Sequence, residues 1–339
     1  MKRYILAISL ILMVMITAAC GDGNGNASNA ENSSGEEKVL RVAHTQAQTH
    51  PVHISLEKFG ELVEEKTNGS VTIEIFPSGT LGDERQYMEN LQTGTLDMAK
   101  LSVNTLENYE DLWSIFSIPY VFQDMAHGAE YMNSEVVENL YNLTTDSMDI
   151  LGLTWYEAGA RNYYTRDTPI EAPEDLNGLL MRVQNSEILI KTIEALGGSA
   201  TPIDFSELYT AIQQGVVEGA DNGIVAFSEN NLGEVAKHFS FTEHVFSPDI
   251  LVIKSSVFEG LTAEEQEAVK EAAVESTDFH NDNWEEETEQ AIQKAEDAGA
   301  TIYYPELEPF REALQPLKES YADENEEIAE LMEEIDAMR

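Results

Sequence analysis

From Thr262 to Ala298 helix-forming residues run with few interruptions for 37 residues, about 55 Å at 1.5 Å per residue. A helix that long exceeds one small domain, so it is expected to brace two. Ahead of it the chain alternates. VLRVAH (Val39 to His44) reads as a strand, and HISLEKFGELVEEKT (His53 to Thr67) has the 3.6-residue apolar period of a helix, stopped by Asn68-Gly69. VTIEIFP (Val71 to Pro77) is the next strand; after the break at Gly79 to Gly82, a helix runs from Glu84 to Gln92 and ends at Gly94. This β-α-β-α order predicts an α/β fold, helices packed on a sheet, with ligands collecting at loops beyond the strand ends.

The middle of the chain brings the apolar segment Leu112 to Phe122, a helix near Ala126 to Leu143 and a strand from Asp149 to Tyr156. Pro169 and Pro173 mark passage into a second unit, with a helix near Glu187 to Leu196 and another that breaks at Gly215 before Asp221. LVIKSS (Leu251 to Ser256) is strand-like and a candidate to return to the first unit, and a late strand falls at Thr301 to Tyr304. A split first domain fits this order better than two beads on a string, and 339 residues suffice for two cores.

The ends and the charge narrow the setting. Lys2 and Arg3 precede an apolar run from Tyr4 to Ile16 and the small residues Thr17-Ala18-Ala19 before Cys20, the only cysteine. This is the pattern of an export signal (residues 1–20), too short and one-sided for a membrane span. Cys20 stands where a lipoprotein acquires its lipid. Residues 21–37, rich in Gly, Asn, Ser and Glu, have nothing to build a core from and read as a flexible tether. With 19 Lys+Arg against 63 Asp+Glu the formal net charge is −44, which repels nucleic acid and suggests saline or alkaline surroundings. A single Cys leaves no internal disulfide framework and no Cys-rich metal site.

Four segments carry a resemblance: GTLGDERQYMENLQTGTLDMA (Gly79 to Ala99), RNYYTRDTPIEAPEDLNGLLMRVQNS (Arg161 to Ser186), ALGGSATPIDFSELYTAIQQGVVEGADN (Ala195 to Asn222) and TEHVFSPDILVI (Thr242 to Ile253). Over roughly Val39 to Pro316 the chain resembles the extracytoplasmic solute-binding proteins of tripartite ATP-independent periplasmic (TRAP) transporters, the dicarboxylate-binding family, in its sugar-acid branch. The resemblance implies a two-lobed, periplasmic-binding-protein-like fold of the class II type, with a hinge and a long helix spanning both lobes. The implied lobes are 38–159 with 248–285, and 160–247 with 286–316, followed by a helical extension at 317–339. It further implies a monomer that captures a small organic acid for a membrane permease driven by an ion gradient, without cofactor or metal.

In such proteins an Arg clamps the ligand carboxylate from the segment matched here by Leu180 to Val183, which makes Arg182 the first candidate. Its two parallel donors match a carboxylate as Lys cannot. Arg161 occupies the family's second Arg position, for pocket contact or a structural role. Asn222, with amide donor and acceptor, is placed opposite Arg182. Phe205 would stack on a sugar face or join the core; Tyr209 and Gln213 share its helix face. Glu84 sits at a position that often carries a polar contact, though a surface Glu is equally expected in so acidic a chain. His50 could donate to a ring hydroxyl or simply start a helix. Trp155 and Tyr156 could offer a flat face or pack in the core. Ser102 stands about where relatives specific for sialic acid carry an acid, and the segment Thr45 to Phe59 resembles members taking glucuronate or galacturonate. Four-carbon dicarboxylate and sialic-acid receptors remain the rival ligand classes.

The rival functional class is a secreted lyase or hydrolase acting on acidic sugars. It would need a positioned base, whereas HExxH, GxSxG and P-loop patterns are absent from the sequence. His50 and His53 stand at helical spacing without an evident third ligand for a metal.

Overall fold

The computed structural model describes residues 37–338; the segments expected to be an export signal and a tether, with Cys20, lie, up to residue 36, outside the described residues. In chain order the strands are β1 (Lys38–Ala43), β2 (Val71–Phe76), β3 (Met98–Ser102), β4 (Ile150–Tyr156), β5 (Ala160–Thr165), β6 (Leu180–Val183), β7 (Ser199–Pro202), β8 (Gly219–Asn222), β9 (His238–Phe246), β10 (Asp249–Lys254) and β11 (Thr301–Tyr303). They form two mixed sheets, one of five strands ordered β2-β1-β3-β10-β4 and one of six ordered β11-β9-β5-β8-β6-β7. β10 enters the first sheet antiparallel to both β3 and β4. In the second, β5 runs antiparallel to β8 and β9, while β6 lies parallel to β7 and β8.

Both sheets are covered on both faces, so β3 and β5 are buried throughout and β10 and β8 in all but their last residue. In β10 the two-residue side-chain period sends Ile250 and Val252 toward Trp113 and Phe116, and Leu251 and Ile253 toward Phe59, Val63 and Val269. In the second sheet Tyr164 and Phe239 pack with Leu208, Ile212 and Phe227, while Tyr163 and Met181 face Leu189, Ile193 and Phe310.

The chain passes directly between the sheets twice, through residues 157–159 after β4 and 247–248 before β10. Gly159 takes φ +78° in the first passage, a left-handed conformation that a side chain would strain. A third connection is the helix Ala263–Asp297. Thr262 caps it: its hydroxyl accepts from the Glu265 N–H at 3.2 Å, and the Glu265 carboxylate accepts from the Thr262 N–H at 2.8 Å. Its Val269, Ala272 and Ala273 are buried with the first sheet, and Ala291 and Ala295 with the second. One helix therefore binds both lobes, and the fold is two-lobed α/β with a bridging helix.

One element differs from the sequence reading, and another receives its form only here. The helix expected near Ala126 to Leu143 is two, Met125–Met132 and Glu135–Met148. The break falls at Asn133, whose Nδ2 donates to the Ala129 carbonyl at 2.9 Å, and at Ser134, which is extended and starts the second helix. The apolar stretch after Leu112 forms a 3₁₀ helix, Asp111–Ser117. At the C-terminus, helix Glu326–Ala337 packs Ile328, Leu331, Met332 and Ile335 into the Trp113 core.

Candidate functional site

A cavity of about 250 Å³ is lined by residues from both lobes, among them His50, Glu84, Lys100, Asp249, Arg161, Arg182, Phe205 and Asn222. It collects at strand ends and helix starts, as the α/β alternation predicts.

Arg182 stands within β6 and is 2% exposed. Its Nε donates to the Ile203 carbonyl at 2.7 Å, and its guanidinium carbon lies 5.9 Å from the Phe205 ring centre. Nη1 has no hydrogen-bond partner among the described residues. Burial lowers the pKa of this guanidinium from its ordinary value, because the charge has lost water without gaining an ion pair.

Arg161, on β5, is neutralised. Its Nε donates to Asp221 Oδ2 at 2.6 Å and Nη2 to Oδ1 at 2.8 Å, while Nη1 donates to Gln184 Oε1 at 2.6 Å. Burial alone would raise Asp221; the Arg161 guanidinium more than offsets this and holds its carboxyl well below the usual carboxylate range. Asn222 ends β8, and its Oδ1 accepts from the Gly223 N–H at 2.8 Å. What it can still offer a ligand is the Nδ2 donor.

The first lobe supplies a network. Asp83 and Gln86 form a capping box, with Asp83 Oδ1 accepting from the Gln86 N–H at 2.8 Å, and this fixes Glu84 as the first residue of helix Glu84–Thr93. The Glu84 carboxylate accepts from the Ser102 N–H at 3.1 Å, from the Thr105 hydroxyl and from Lys100 Nζ at 3.1 Å. Lys100 also donates to Asp249 Oδ1 at 3.0 Å. His50 caps helix Pro51–Lys66: its Nδ1 accepts from the Val52 N–H at 3.2 Å. Burial, with Lys100 nearby, holds its pKa well below the ordinary histidine range. His50 is therefore neutral, and Nε2 carries its proton.

Four of the sequence-predicted residues lie outside the cavity. Trp155 and Tyr156 are neighbours on β4, so the pleat sends them to opposite faces and into separate cores. There Trp155 Nε1 donates to Asn133 Oδ1 at 3.1 Å, and the Tyr156 hydroxyl lies 2.8 Å from that of Ser276. Tyr209 and Gln213 are carried off by helix Phe205–Gln213, whose first residue alone reaches the cavity. Tyr209 donates its hydroxyl proton to Glu234 at 2.7 Å.

Sequence reasoning missed Lys100 and Asp249. Each had a signal: a lone Lys in the strand MAKLS, buried at every position, and an acid opening the buried strand DILVIK. Among the described residues no group of three or more His, Cys, Asp or Glu is arranged to hold a metal ion.

The profile of the bacterial extracellular solute-binding protein family 7 matches residues 42–325, and this chain belongs to that family. Among solved structures it is similar to a TRAP periplasmic solute-binding protein from Anaerococcus prevotii with bound D-glucuronate, at 34% identity, TM-score 0.86 and coverage of 89% of this chain and 98% of the other. A Sulfitobacter protein of the same kind, with bound β-D-galacturonate, matches at 33% identity and TM-score 0.84, over 87% of this chain and 98% of the other. The C4-dicarboxylate-binding periplasmic protein of Rhodobacter capsulatus is 30% identical over 297 residues, 85% of this chain and 87% of its own length.

Proposed function

We propose that this protein is an extracytoplasmic receptor that closes its two lobes on a hexuronate, D-glucuronate or D-galacturonate, and hands it to a TRAP permease driven by an ion gradient. The observation that carries the reading is Arg182, a buried guanidinium that forms no ion pair among the described residues and keeps Nη1 without a hydrogen-bond partner there, on the wall of an inter-lobe cavity. Such a charge is costly unless an anion arrives, and a carboxylate offers the two oxygens its fork fits. The uronates bound by the two structural relatives support the sugar acid over other anions. The Rhodobacter relative keeps a four-carbon dicarboxylate as the second reading.

In this reading residues 38–159 and 248–285 act as lobe I, and 160–247 with 286–316 as lobe II, hinged at 157–159 and 247–248. Arg161, with its charge spent on Asp221, serves as a positioned donor, and Asn222, His50 and Glu84 meet hydroxyls. Phe205 flanks the clamp. Closure excludes water, strengthens the ion pair and presents a joined surface to the permease. The lipid on Cys20 would hold the receptor at the membrane. A thermal-shift panel of uronates, aldonates, sialic acid and four-carbon dicarboxylates tests the assignment. Stabilisation confined to uronates is expected, and stabilisation by dicarboxylates alone would replace the ligand while keeping the transport class.

A further inference from the structure

The two walls of the cavity differ in charge, and the difference has a chemical reading. On the second-lobe wall Arg161 is paired with Asp221, while Arg182 forms no ion pair among the described residues, although Asp204 lines the same wall. On the first-lobe wall Lys100, 1% exposed, is shared between two carboxylates, Glu84 at 3.1 Å and Asp249 at 3.0 Å. With Asp83 and Arg85, which line the same wall, three acids face two cations and leave it one negative charge in excess.

The two acids are not equally occupied. Glu84 meets Ser102, Thr105 and Lys100. Asp249 is 3% exposed, gives Oδ1 to Lys100, and its Oδ2 has no hydrogen-bond partner among the described residues. A buried carboxylate oxygen without a donor is costly. Asp249 is also held rigidly: it opens β10, laddered to Ser102 on one side and Tyr156 on the other. That is where a specificity group is best placed.

We propose that Asp249 selects the end of the ligand remote from its carboxylate: Oδ2 accepts a hydroxyl proton from a polyhydroxylated monoanion and repels a second carboxylate. The inference rests on the sugar-acid reading above and adds which residue enforces it. A monoanion with a hydroxyl-rich tail places its charge at Arg182 and a donor at Asp249. A diacid of the same length would bury its second carboxylate against an acid whose own cation, Lys100, is already shared with Glu84, and a chain without that hydroxyl would leave Oδ2 unpaired. Sites built to bond a hydroxyl reject both kinds of analogue strongly.

The test compares D-glucuronate with D-glucarate, the same six-carbon chain carrying a carboxylate at each end, by calorimetric titration of the wild-type protein and Asp249→Asn. The wild type is expected to prefer glucuronate at least 100-fold, and the variant to narrow that preference tenfold or more. A wild type that binds glucarate or succinate as tightly as glucuronate overturns the sugar-acid reading and this inference together. A wild type that prefers glucuronate, with an unchanged ratio in Asp249→Asn, overturns this inference alone. Monodeoxy glucuronates supply the second measurement, decisive in the wild type even if the variant does not fold. One hydroxyl whose loss weakens wild-type binding tenfold or more is expected, and that loss should cost little in Asp249→Asn. A series in which every hydroxyl is dispensable overturns the inference.

Discussion

Arg161 closes on both carboxylate oxygens of Asp221, with Nε at 2.6 Å from Oδ2 and Nη2 at 2.8 Å from Oδ1. Asp221 stands on β8, between the strands that carry Arg161 and Arg182, and this geometry commits it to the first. Of two arginines on one wall, one becomes scaffold and the other stays available for a ligand. Removing the acid while keeping its shape tests that division. Asp221→Asn leaves Arg161 buried without a counter-ion, and the expected loss of stability is about 3–5 kcal/mol by urea unfolding. A loss within about 0.5 kcal/mol would show that the pair is not what holds Arg161.

Arg182 should tolerate no substitute cation. Lys keeps the charge but loses the planar fork and the Nε bond to the Ile203 carbonyl. Arg182→Lys is expected to weaken uronate binding at least tenfold in a titration, with Arg182→Ala weaker still. Equal affinity of the Lys variant and the wild type would mean that charge alone suffices.

Glu157 sits in the passage between the sheets, where its Oε1 accepts from the Gly159 N–H at 2.8 Å. Burial raises its carboxyl from the usual range to about 7. Below the unfolded value both states hold the proton and nothing is lost. As pH rises toward 7 the unfolded chain releases its proton while the folded one keeps it, so stability falls by about 3 kcal/mol and then levels. Glu157→Gln preserves the acceptor and removes the charge. Relative to the wild type it should lose less stability as pH rises from 5 to 8 in urea unfolding, and a variant with the wild-type slope would exclude Glu157 as a contributor.

His280 gives the opposite slope at the same place. Its Nε2 donates to the Glu157 carbonyl at 2.8 Å, and burial lowers its pKa to about 4. From its ordinary value down to about 4 the unfolded chain takes up a proton that the folded one refuses, so stability is lost as pH falls. His44, lowered by burial to about 3, adds to this. Because Glu157 contributes the opposite slope, the His280 ring is isolated by difference: His280→Gln should lose less stability between pH 6.5 and 4 than the wild type does. Equal losses in the two proteins would mean that the His280 ring charges in the folded state.

Long features of the fold were legible because their patterns repeat. The helix after Thr262 and the first β-α-β-α turn each offer several periods of apolar spacing. The strands β6, β7 and β8 have four residues each, too few for alternation to register. Arg182, Asn222 and Phe205, which the structure brings to one cavity, stood out because few basic residues compete and because the segments around them resemble a family. Trp155 and Tyr156 were misleading because an aromatic pair at a strand end looks alike whether it meets a ligand or two cores; only the sheet's covered faces distinguish them. Lys100 and Asp249 come together from strands 149 residues apart, and no local spacing announces such a pair.

In the proposed receptor Arg182 awaits a uronate carboxylate. Isothermal titration of D-glucuronate and D-galacturonate into the wild type and Arg182→Ala, at neutral pH and high salt, tests it most directly. The account predicts one site per chain, binding at least one of the two, and at least a 100-fold loss in the variant. Wild-type binding that survives Arg182→Ala unchanged would contradict it.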